Sequence, residues 1–252
     1  MSLMGRDIPQ AIQEQGHEIR IFMPKWGNIN ERRGQLHEVQ RLSGINLIID
    51  DTDHPLIIKV ASIPSAKIQV YFIDNDDYFN SRQMEKDEKG IDYPDNGERA
   101  IFFARGVLET VKKLRWVPDI IHCQGWMGAV VPLYIKTAYR DEPSFRSTKV
   151  VTSLFTKSLD SSLGTNFKRC VEFREATADL LAPYNDNFDF YELGKLAIDY
   201  SDGVVQADAV VNDQLLLYAA DKHIPLLKYQ SQGLAEAIEK FYGTIAPEEE
   251  TE

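Results

Sequence analysis

After residue 90 the sequence alternates short apolar runs with longer amphipathic segments, a pattern typical of alternating strands and helices. The apolar runs predict strands over Asp119–His122, Lys149–Leu154 and Gly203–Gln206. The amphipathic segments predict helices at about Glu98–Arg115, Trp126–Tyr139, Tyr191–Tyr200 and Val210–Ala220. Continuous apolar strands favour a parallel sheet that helices cover on both faces. The predicted fold class is therefore an open α/β fold.

The first 75 residues have a different pattern, with one short helix and several β-rich runs. Pro9–Gln15 predicts a helix that Gly16 ends in a left-handed conformation, and His17–Met23 predicts a strand stopped by Pro24. Three β-rich runs follow at 45–49, 56–61 and 68–73, separated by turn-forming stretches at 50–55 and 63–67. We interpret these runs as a β-meander, inserted at about 44–75 in a single domain over residues 1–245.

The stretch I-H-C-Q-G-W-M-G at 121–128 lies where a ligand is expected. In open α/β sheets, ligands bind beyond the carboxyl ends of the strands, and 122–126 is predicted to be the loop leaving one such strand. His122 is either a functional group or a structural hydrogen-bond partner. Gln124 does not titrate but has the groups to hydrogen-bond a hydroxyl of a ligand. Trp126 begins a predicted helix, which favours packing in the core.

Composition and charge limit the classes of partner. The chain has 39 acidic and 28 basic residues, for a net charge of −11, which disfavours nucleic acid. Cys123 and Cys170 show no metal-ligand or disulfide spacing, so we predict reduced thiols, no metal and a cytoplasmic location. No apolar run approaches the roughly 20 residues that span a bilayer, so no membrane partner is expected. The segment 246–252, in which four of seven residues are glutamate, predicts a disordered tail.

Several linked segments resemble the N-terminal domain of bacterial glycogen synthases and plant starch synthases. They are Y-F-I-D-N-D-D-Y-F at 71–79, Y-P-D-N-G-E-R-A-I-F-F-A-R-G-V-L-E at 93–109 and R-W-V-P-D-I-I-H-C-Q-G-W-M-G-A-V-V-P-L-Y-I-K at 115–136. The stretches 16–29 and 193–208 are similar to the family's second strand and its last helix–strand unit. Together these segments cover most of Pro9 to Ala220 in the family's order.

The resemblance implies a fold and a reaction. The family consists of retaining glucosyltransferases with two Rossmann domains, which move glucose from ADP-glucose to the non-reducing end of an α-1,4-glucan. Their reaction needs no metal, and ADP-glucose is a substrate rather than a cofactor. The N-terminal domain mainly holds the glucan, and the C-terminal domain holds most of the nucleotide sugar. This chain resembles the N-terminal half alone, so we expect an open Rossmann-like parallel sheet with a β-rich insertion.

Part of the family's site is retained here. Asp95 matches an aspartate near the reacting centre, although a helix N-cap role would also explain an aspartate at this position. Tyr78 matches an aromatic residue that lines the sugar site. The resemblance implies two sets of site residues. The catalytic candidates are Asp95 and His122, and the substrate-binding candidates are Tyr78, Asp95, Asn96, Gln124 and Trp126.

Other parts of the family's site differ. The motif H-x-H-D-W is similar to residues 122–126, where Gln124 and Gly125 replace a histidine and an aspartate. The segment T-x-H-N is replaced by Thr152-Ser153-Leu154-Phe155. Met1-Ser2-Leu3 stands where a phosphate-contacting loop, K-T-G-G-L-G-D, would end. The family's first strand would precede Met1, so we expect a start codon placed too late or a trimmed chain.

These features leave two hypotheses. In the first, the chain is the acceptor-side part of a glucosyltransferase whose remaining parts lie outside it or on a partner subunit. In the second, it is a stand-alone module that binds an α-1,4-glucan or regulates a synthase without transferring glucose. For both, the predicted ligand is an α-1,4-glucan or maltooligosaccharide, and the predicted protein partner is a synthase subunit or a second copy of the chain. We predict that the chain alone is inactive or nearly so.

Overall fold

The structure is a computed structural model that describes residues 3–63 and 66–246. Its internal contacts group the chain into two compact units, Met1–Ile91 and Asp92–Glu252. The single domain over residues 1–245 stays a prediction. The disordered tail at 246–252 also stays a prediction, because residues 247–252 lie outside the described residues.

The first unit begins with a π-helical turn at Leu3–Asp7, which continues into helix α1 at Ile8–Glu14. Ile8 and Ile12, four residues apart, lie on one face of α1, and both are buried. Gly16 has φ +100°, a backbone conformation that favours glycine, and it follows the end of the helix as predicted. The next strand, β1, spans Arg20–Pro24.

The sheet of the first unit has the order β1-β6-β5-β2. The further elements of this unit are α2 at Glu31–Gly34, β2 at His37–Glu38, β3 at Asn46–Ile49, β4 at Thr52–Pro55, β5 at Ile57–Ile63 and β6 at Ile68–Asp74. Strand β1 is parallel to β6, whereas β5 is antiparallel to β6 and to β2. Arg20 pairs with Gln69. Because β6 begins only at Ile68, β1 begins three residues later than the predicted strand.

The predicted β-meander is wrong in its first half. The sequence predicts a turn at 50–55, but Thr52–Pro55 forms β4 and pairs with β3 in a separate hairpin. Asp50 has φ +53°, so the chain reverses within two residues. The pairing places Leu47 opposite His54, and both side chains are buried. Turn-forming residue types therefore adopt a strand here, because the partner strand supplies an apolar face.

The second unit alternates helices and strands. Its first elements are α3 at Asn96–Leu114, β7 at Ile120–Gln124, α4 at Gly125–Gly128, α5 at Val131–Lys136, β8 at Lys149–Leu154, α6 at Phe167–Val171 and α7 at Ala178–Leu181. Its last elements are α8 at Phe190–Asp199, β9 at Gly203–Gln206, α9 at Asp213–Asp221, β10 at Leu226–Leu227 and α10 at Leu234–Ile245. The sheet order is β10-β9-β8-β7, and all pairs are parallel.

Two predictions near residue 125 are wrong in detail. The strand continues through Gln124, so 122–124 is strand rather than loop. The predicted helix over 126–139 is two short helices, α4 and α5, separated at Ala129 and Val130. Pro132 explains the break, because proline has no N–H to donate to Gly128 and its ring would clash with that carbonyl. The predicted helix over 210–220 begins at Asp213, after the side-chain cap of Asn212.

Helices cover both faces of the second sheet, as the sequence predicts. Val204 packs with side chains of α8 and α9, whereas Val205, its neighbour on β9, packs against α10. Gly203 permits the close approach of α10, because an added Cβ would lie 2.8 Å from an atom of Ile245 and 2.9 Å from one of Phe241. Within residues 3–63 and 66–246, no helix combines the length and apolar composition that crossing a membrane requires.

Candidate functional site

The carboxyl ends of the parallel strands β7, β8 and β9 lie side by side in the second unit. Gln124 pairs with Ser153, and Ser153 pairs with Val205 on the following strand. Gly125, with φ +67°, turns the chain directly from β7 into α4. This edge is where ligands bind in sheets of this class, so its side chains are the first candidates for function.

His122 lies near the end of β7, and both of its ring nitrogens are engaged. Nδ1 lies 2.5 Å from the hydroxyl of Tyr242, and Nε2 lies 2.6 Å from Oγ of Ser153. Burial lowers the pKa of His122 from 6.5 to about 4, so the imidazole is neutral at pH 7. A neutral imidazole has one donor and one acceptor nitrogen, and both are in use. The geometry therefore assigns His122 a structural hydrogen-bonding role.

The sequence did not reveal the two partners of His122. Ser153 falls in the segment that differs from the family's T-x-H-N, and Tyr242 is 120 residues away on α10. Burial raises the pKa of Tyr242, which keeps its hydroxyl protonated. The Tyr242 and His122 rings meet edge to face, with centroids 5.7 Å apart. The sequence shows Tyr242 as a hydroxyl-bearing residue in an amphipathic segment, but no local pattern connects this segment to β7.

Gln124 and Trp126 occupy different environments beside His122. Gln124 is partly exposed at the end of β7, and its side chain makes no capping hydrogen bond to α4. Its amide therefore lies at the ligand edge of the sheet. Trp126 is 4% exposed, which agrees with a packing role in the core. Of these two predicted binding residues, Gln124 has the more accessible polar group.

The start of α3 holds the predicted residues Asp95 and Asn96. Asp95 is partly buried at the N-cap position, but its side chain makes no capping hydrogen bond, so the N-cap explanation is wrong. Asn96 is 2% exposed, and its Oδ1 accepts a hydrogen bond of 2.7 Å from the guanidinium of Arg99. That fully buried guanidinium also lies 4.9 Å from the ring centroid of Tyr93. Asn96 therefore serves to hold Arg99.

Asp92, which no motif in the sequence singles out, connects this segment to the loop after β8. Its Oδ2 accepts hydrogen bonds of 2.6 Å from the backbone N–H groups of both Asp160 and Ser161. The loop that leaves the carboxyl end of β8 is thereby held against the segment that begins α3. The only local signal was an aspartate three residues before Asp95.

Tyr78 lies in the first unit, so the structure does not group it with the other predicted residues, which belong to the second unit. Its ring is 2% exposed, and its hydroxyl lies 3.0 Å from Nε2 of His54. The same nitrogen of His54 lies 2.8 Å from Oγ1 of Thr52. The ring centroids of Tyr78 and His54 are 4.5 Å apart. Tyr78 therefore presents little ring surface for stacking on a sugar.

A network of charges lies at the carboxyl ends of β1 and β6 in the first unit, and no motif in the sequence indicates it. Glu31 contacts Lys25 at 3.0 Å and Lys59 at 2.6 Å, and Lys59 also contacts Asp74 at 2.8 Å. The hydrogen bond from Lys59 lowers the pKa of Glu31. Burial works against the charge of Lys59, but its two carboxylate partners still raise its pKa. Two cations and two anions balance, so this network stabilises the ends of the strands.

Metal-ligating residues do not cluster in the described chain. Among residues 3–63 and 66–246, no three His, Cys, Asp or Glu side chains lie together in a way that would hold a metal ion. Cys123 and Cys170 are both buried with free thiols, and burial raises the pKa of the Cys123 thiol. The metal-free reaction implied by the resemblance stays a prediction.

Comparison with known proteins supplies the context for this site. A family model described as "Starch synthase catalytic domain" matches residues 1–216. Glycogen synthase of Chlorobium luteolum is 46% identical over 147 residues, which are 58% of this chain and 30% of that protein. Glycogen synthase of Chlorobaculum tepidum is also 46% identical over 147 residues, with the same coverage. The chain thus spans about a third of the length of these relatives.

A solved structure gives the same result for the fold. The catalytic domain of starch synthase IV from Arabidopsis thaliana, bound to ADP and acarbose, superposes with a TM-score of 0.70 at 16% identity. The match covers 90% of this chain and 48% of that chain. The likeness confirms the predicted α/β fold class, and the matched family model confirms the resemblance inferred from the sequence.

Proposed function

Because this chain belongs to the starch synthase catalytic domain family, we propose that it holds the α-1,4-glucan acceptor for glucosyl transfer from ADP-glucose. The observation that carries this proposal is the match of the family model to residues 1–216. Gln124 is partly exposed at the ligand edge of the second sheet, and Asp95 is partly exposed at the start of α3. The amide and the carboxylate are both groups that hydrogen-bond sugar hydroxyls. In this proposal, the ADP-glucose donor would be bound mainly by residues other than those of this chain.

The described residues favour binding over transfer by this chain alone. Both nitrogens of His122 are engaged, and its depressed pKa keeps it neutral, so it has no open position for proton transfer at pH 7. Gln124 does not titrate and cannot act as a general acid or base. Each preorganised group lost from a transition state costs roughly 3–4 kcal/mol in acyl-transfer enzymes. Loss of several such groups would leave little rate.

The binding test uses the purified full chain and maltoheptaose, with calorimetry and electrophoresis through a glycogen-containing gel. We expect retardation by glycogen, and about tenfold weaker binding in Asp95→Asn, because the amide loses one acceptor for a sugar hydroxyl. Asp141→Asn is the matched control, since that side chain is 88% exposed and distant in sequence. Equal binding by Asp95→Asn and wild type would remove Asp95 from the site, and no binding by the wild type would refute the proposed function.

The transferase hypothesis is the second candidate, and family membership itself favours it. Its test is incorporation of labelled glucose from ADP-glucose into glycogen by the purified chain, with and without a chelator. We expect no incorporation above the protein-free control. Incorporation that depends on the chain would make it a transferase, and loss of that incorporation on chelation would contradict the metal-free reaction predicted from the sequence.

A further inference from the structure

Asp92 combines burial, charge and one oxygen that receives no hydrogen bond from a described residue. The side chain is 9% exposed, and Oδ2 accepts the two backbone hydrogen bonds from Asp160 and Ser161. Oδ1 is also buried, but no described residue donates to it. A carboxylate has room for about four hydrogen bonds, and burying an acceptor without a donor is costly. Oδ1 is therefore an acceptor for which the described chain supplies no donor.

The loop that Asp92 holds has the position of a ligand-binding segment. It spans residues 155–166, between β8 and α6, with no helix or strand of its own. Long irregular loops in compact units are usually functional, and this one leaves the ligand edge of the sheet. Thr156 anchors its start, donating from N to Oδ2 of Asp208 and from Oγ1 to the carbonyl of Val210, both at 2.8 Å.

The far part of the loop is anchored as well. The N–H of Leu163 donates to the carbonyl of Phe188 at 2.8 Å. Between the two anchors, Asp160 and Ser161 are exposed, and Asp92 holds both of their N–H groups. Leu159, which directly precedes Asp160, is 1% exposed and adds a buried anchor. A ligand would therefore reach the carboxylate of Asp92 through an outward movement of Asp160 and Ser161, with Leu159 and the two ends of the loop staying in place.

The chemistry of Asp92 selects among ligand classes. An anion such as phosphate would be repelled by the carboxylate. A metal ion needs several oxygen ligands, and no suitable group of three exists among the described residues. A neutral polyol has hydroxyl donors on every ring, and a hydrogen bond from a hydroxyl to a carboxylate is of the strong, charge-assisted kind. A glucan chain is the polyol that the proposed function supplies.

We propose that Oδ1 of Asp92 accepts a hydroxyl of the bound α-1,4-glucan, and that the 155–166 loop moves to admit it. The proposal rests on the proposed function and names the residue and the loop that carry it. Because Oδ1 is buried within the chain, binding includes an outward movement of Asp160 and Ser161. Asp92 thus has two tasks, since Oδ2 positions the loop and Oδ1 contacts the sugar.

Asp92→Asn separates the two tasks. An asparagine keeps one oxygen to accept the N–H groups of Asp160 and Ser161, but it places an NH₂ donor where Oδ1 stood. We expect maltoheptaose to bind roughly ten- to hundredfold more weakly to this variant, the range for losing a hydrogen bond to a charged group. We expect its unfolding midpoint to stay equal to or above that of the wild type. Asp141→Asn should bind like the wild type.

A second measurement follows the loop in the chain with Asp92 intact. A fluorophore attached to Ser161→Cys reports loop movement, since Cys123 and Cys170 are buried and do not compete for the label. We expect saturating maltoheptaose to change the emission, and expect the change to vanish when Asp92→Asn is added. The emission change in the chain with Asp92 intact tests the loop movement by itself, so this part of the measurement stays informative if Asp92→Asn folds poorly.

The outcomes separate this inference from the proposed function. If the wild type binds maltoheptaose and Asp92→Asn binds it equally well, Oδ1 does not contact the sugar. A buried water molecule would then be the donor to Oδ1. An unchanged fluorophore signal in a chain that binds glucan would refute the loop movement. If the wild type binds no glucan, the proposed function fails, and this inference fails with it.

Discussion

The imidazole of His122 makes the stability of this chain depend on pH between about 6.5 and 4. Burial lowers its pKa from 6.5 to about 4, so the folded chain takes up the proton less readily than the unfolded chain. The neutral imidazole contributes its full stability above pH 6.5. That contribution is lost as the pH falls from 6.5 towards 4, because only the unfolded state binds the proton in this window. Below pH 4 the loss reaches its limit.

The size of the effect follows from the same two pKa values. A shift of roughly 2.5 pH units corresponds to about 3 kcal/mol, since one unit is about 1.4 kcal/mol. Linkage gives a loss of about 1.4 kcal/mol at pH 5.5 and about 2.5 kcal/mol at pH 4.5. These losses are a large share of the roughly 5–15 kcal/mol that stabilises a domain. They are measurable by urea unfolding.

The assay compares the free energy of unfolding of the wild type and His122→Gln at pH 7.5, 5.5 and 4.5. Carboxylates titrate over part of this range in both proteins, so the difference between the proteins isolates the imidazole. The wild type should be the more stable protein at pH 7.5, because His122 has both hydrogen bonds there. This advantage should shrink by about 2.5 kcal/mol at pH 4.5. A difference that does not change with pH would show that His122 protonates freely in the folded chain.

Three other changes test burial and packing within each unit taken separately. Gly203→Ala should cost about 1–3 kcal/mol in chemical denaturation, because its Cβ would overlap side chains of α10. Lys59→Met should cost about 3–5 kcal/mol, because it leaves the buried carboxylate of Asp74 without its cation. Cys123 and Cys170 should react with a thiol reagent only after denaturant is added, because both thiols are buried.

Gly203→Ala and Lys59→Met each have a matched control variant. Gly243→Ala lies within α10 with nothing near its added Cβ, so it should stabilise the chain by about 0.5–1 kcal/mol. A loss in Gly243→Ala equal to that in Gly203→Ala would contradict the packing argument. Lys149→Met removes an exposed lysine and should have little effect. Fast labelling of either cysteine in the native chain would contradict the burial of these thiols.

The sequence predicted the central strands of the second unit well. The predicted strands at Lys149–Leu154 and Gly203–Gln206 have the bounds of β8 and β9. These runs are apolar throughout because both faces of the sheet are covered, so the pattern depends little on distant contacts. The helix predicted at about 98–115 is α3, within two residues at each end.

Errors occurred where pairing with another strand outweighed the local preference of the residues. β4 contains residue types of turns, yet it forms a strand because it pairs with β3. The start of β1 depends on where its partner β6 begins. Strand β1 begins at Arg20 and β6 begins at Ile68, 48 residues later in the chain. The break before α5 was different, since Pro132 was visible in the sequence and was sufficient to predict it.

For the candidate site, the sequence by itself determined the fold class, the family and the chemical groups at the ends of the strands. Only the tertiary structure decided how those groups are engaged. It places Tyr242 and Ser153 on the two nitrogens of His122, and it holds the loop after β8 through Asp92. The physical reason is that hydrogen bonding and burial depend on the atoms that surround a group in space. Those atoms come from residues far apart in the chain, and no local pattern specifies them.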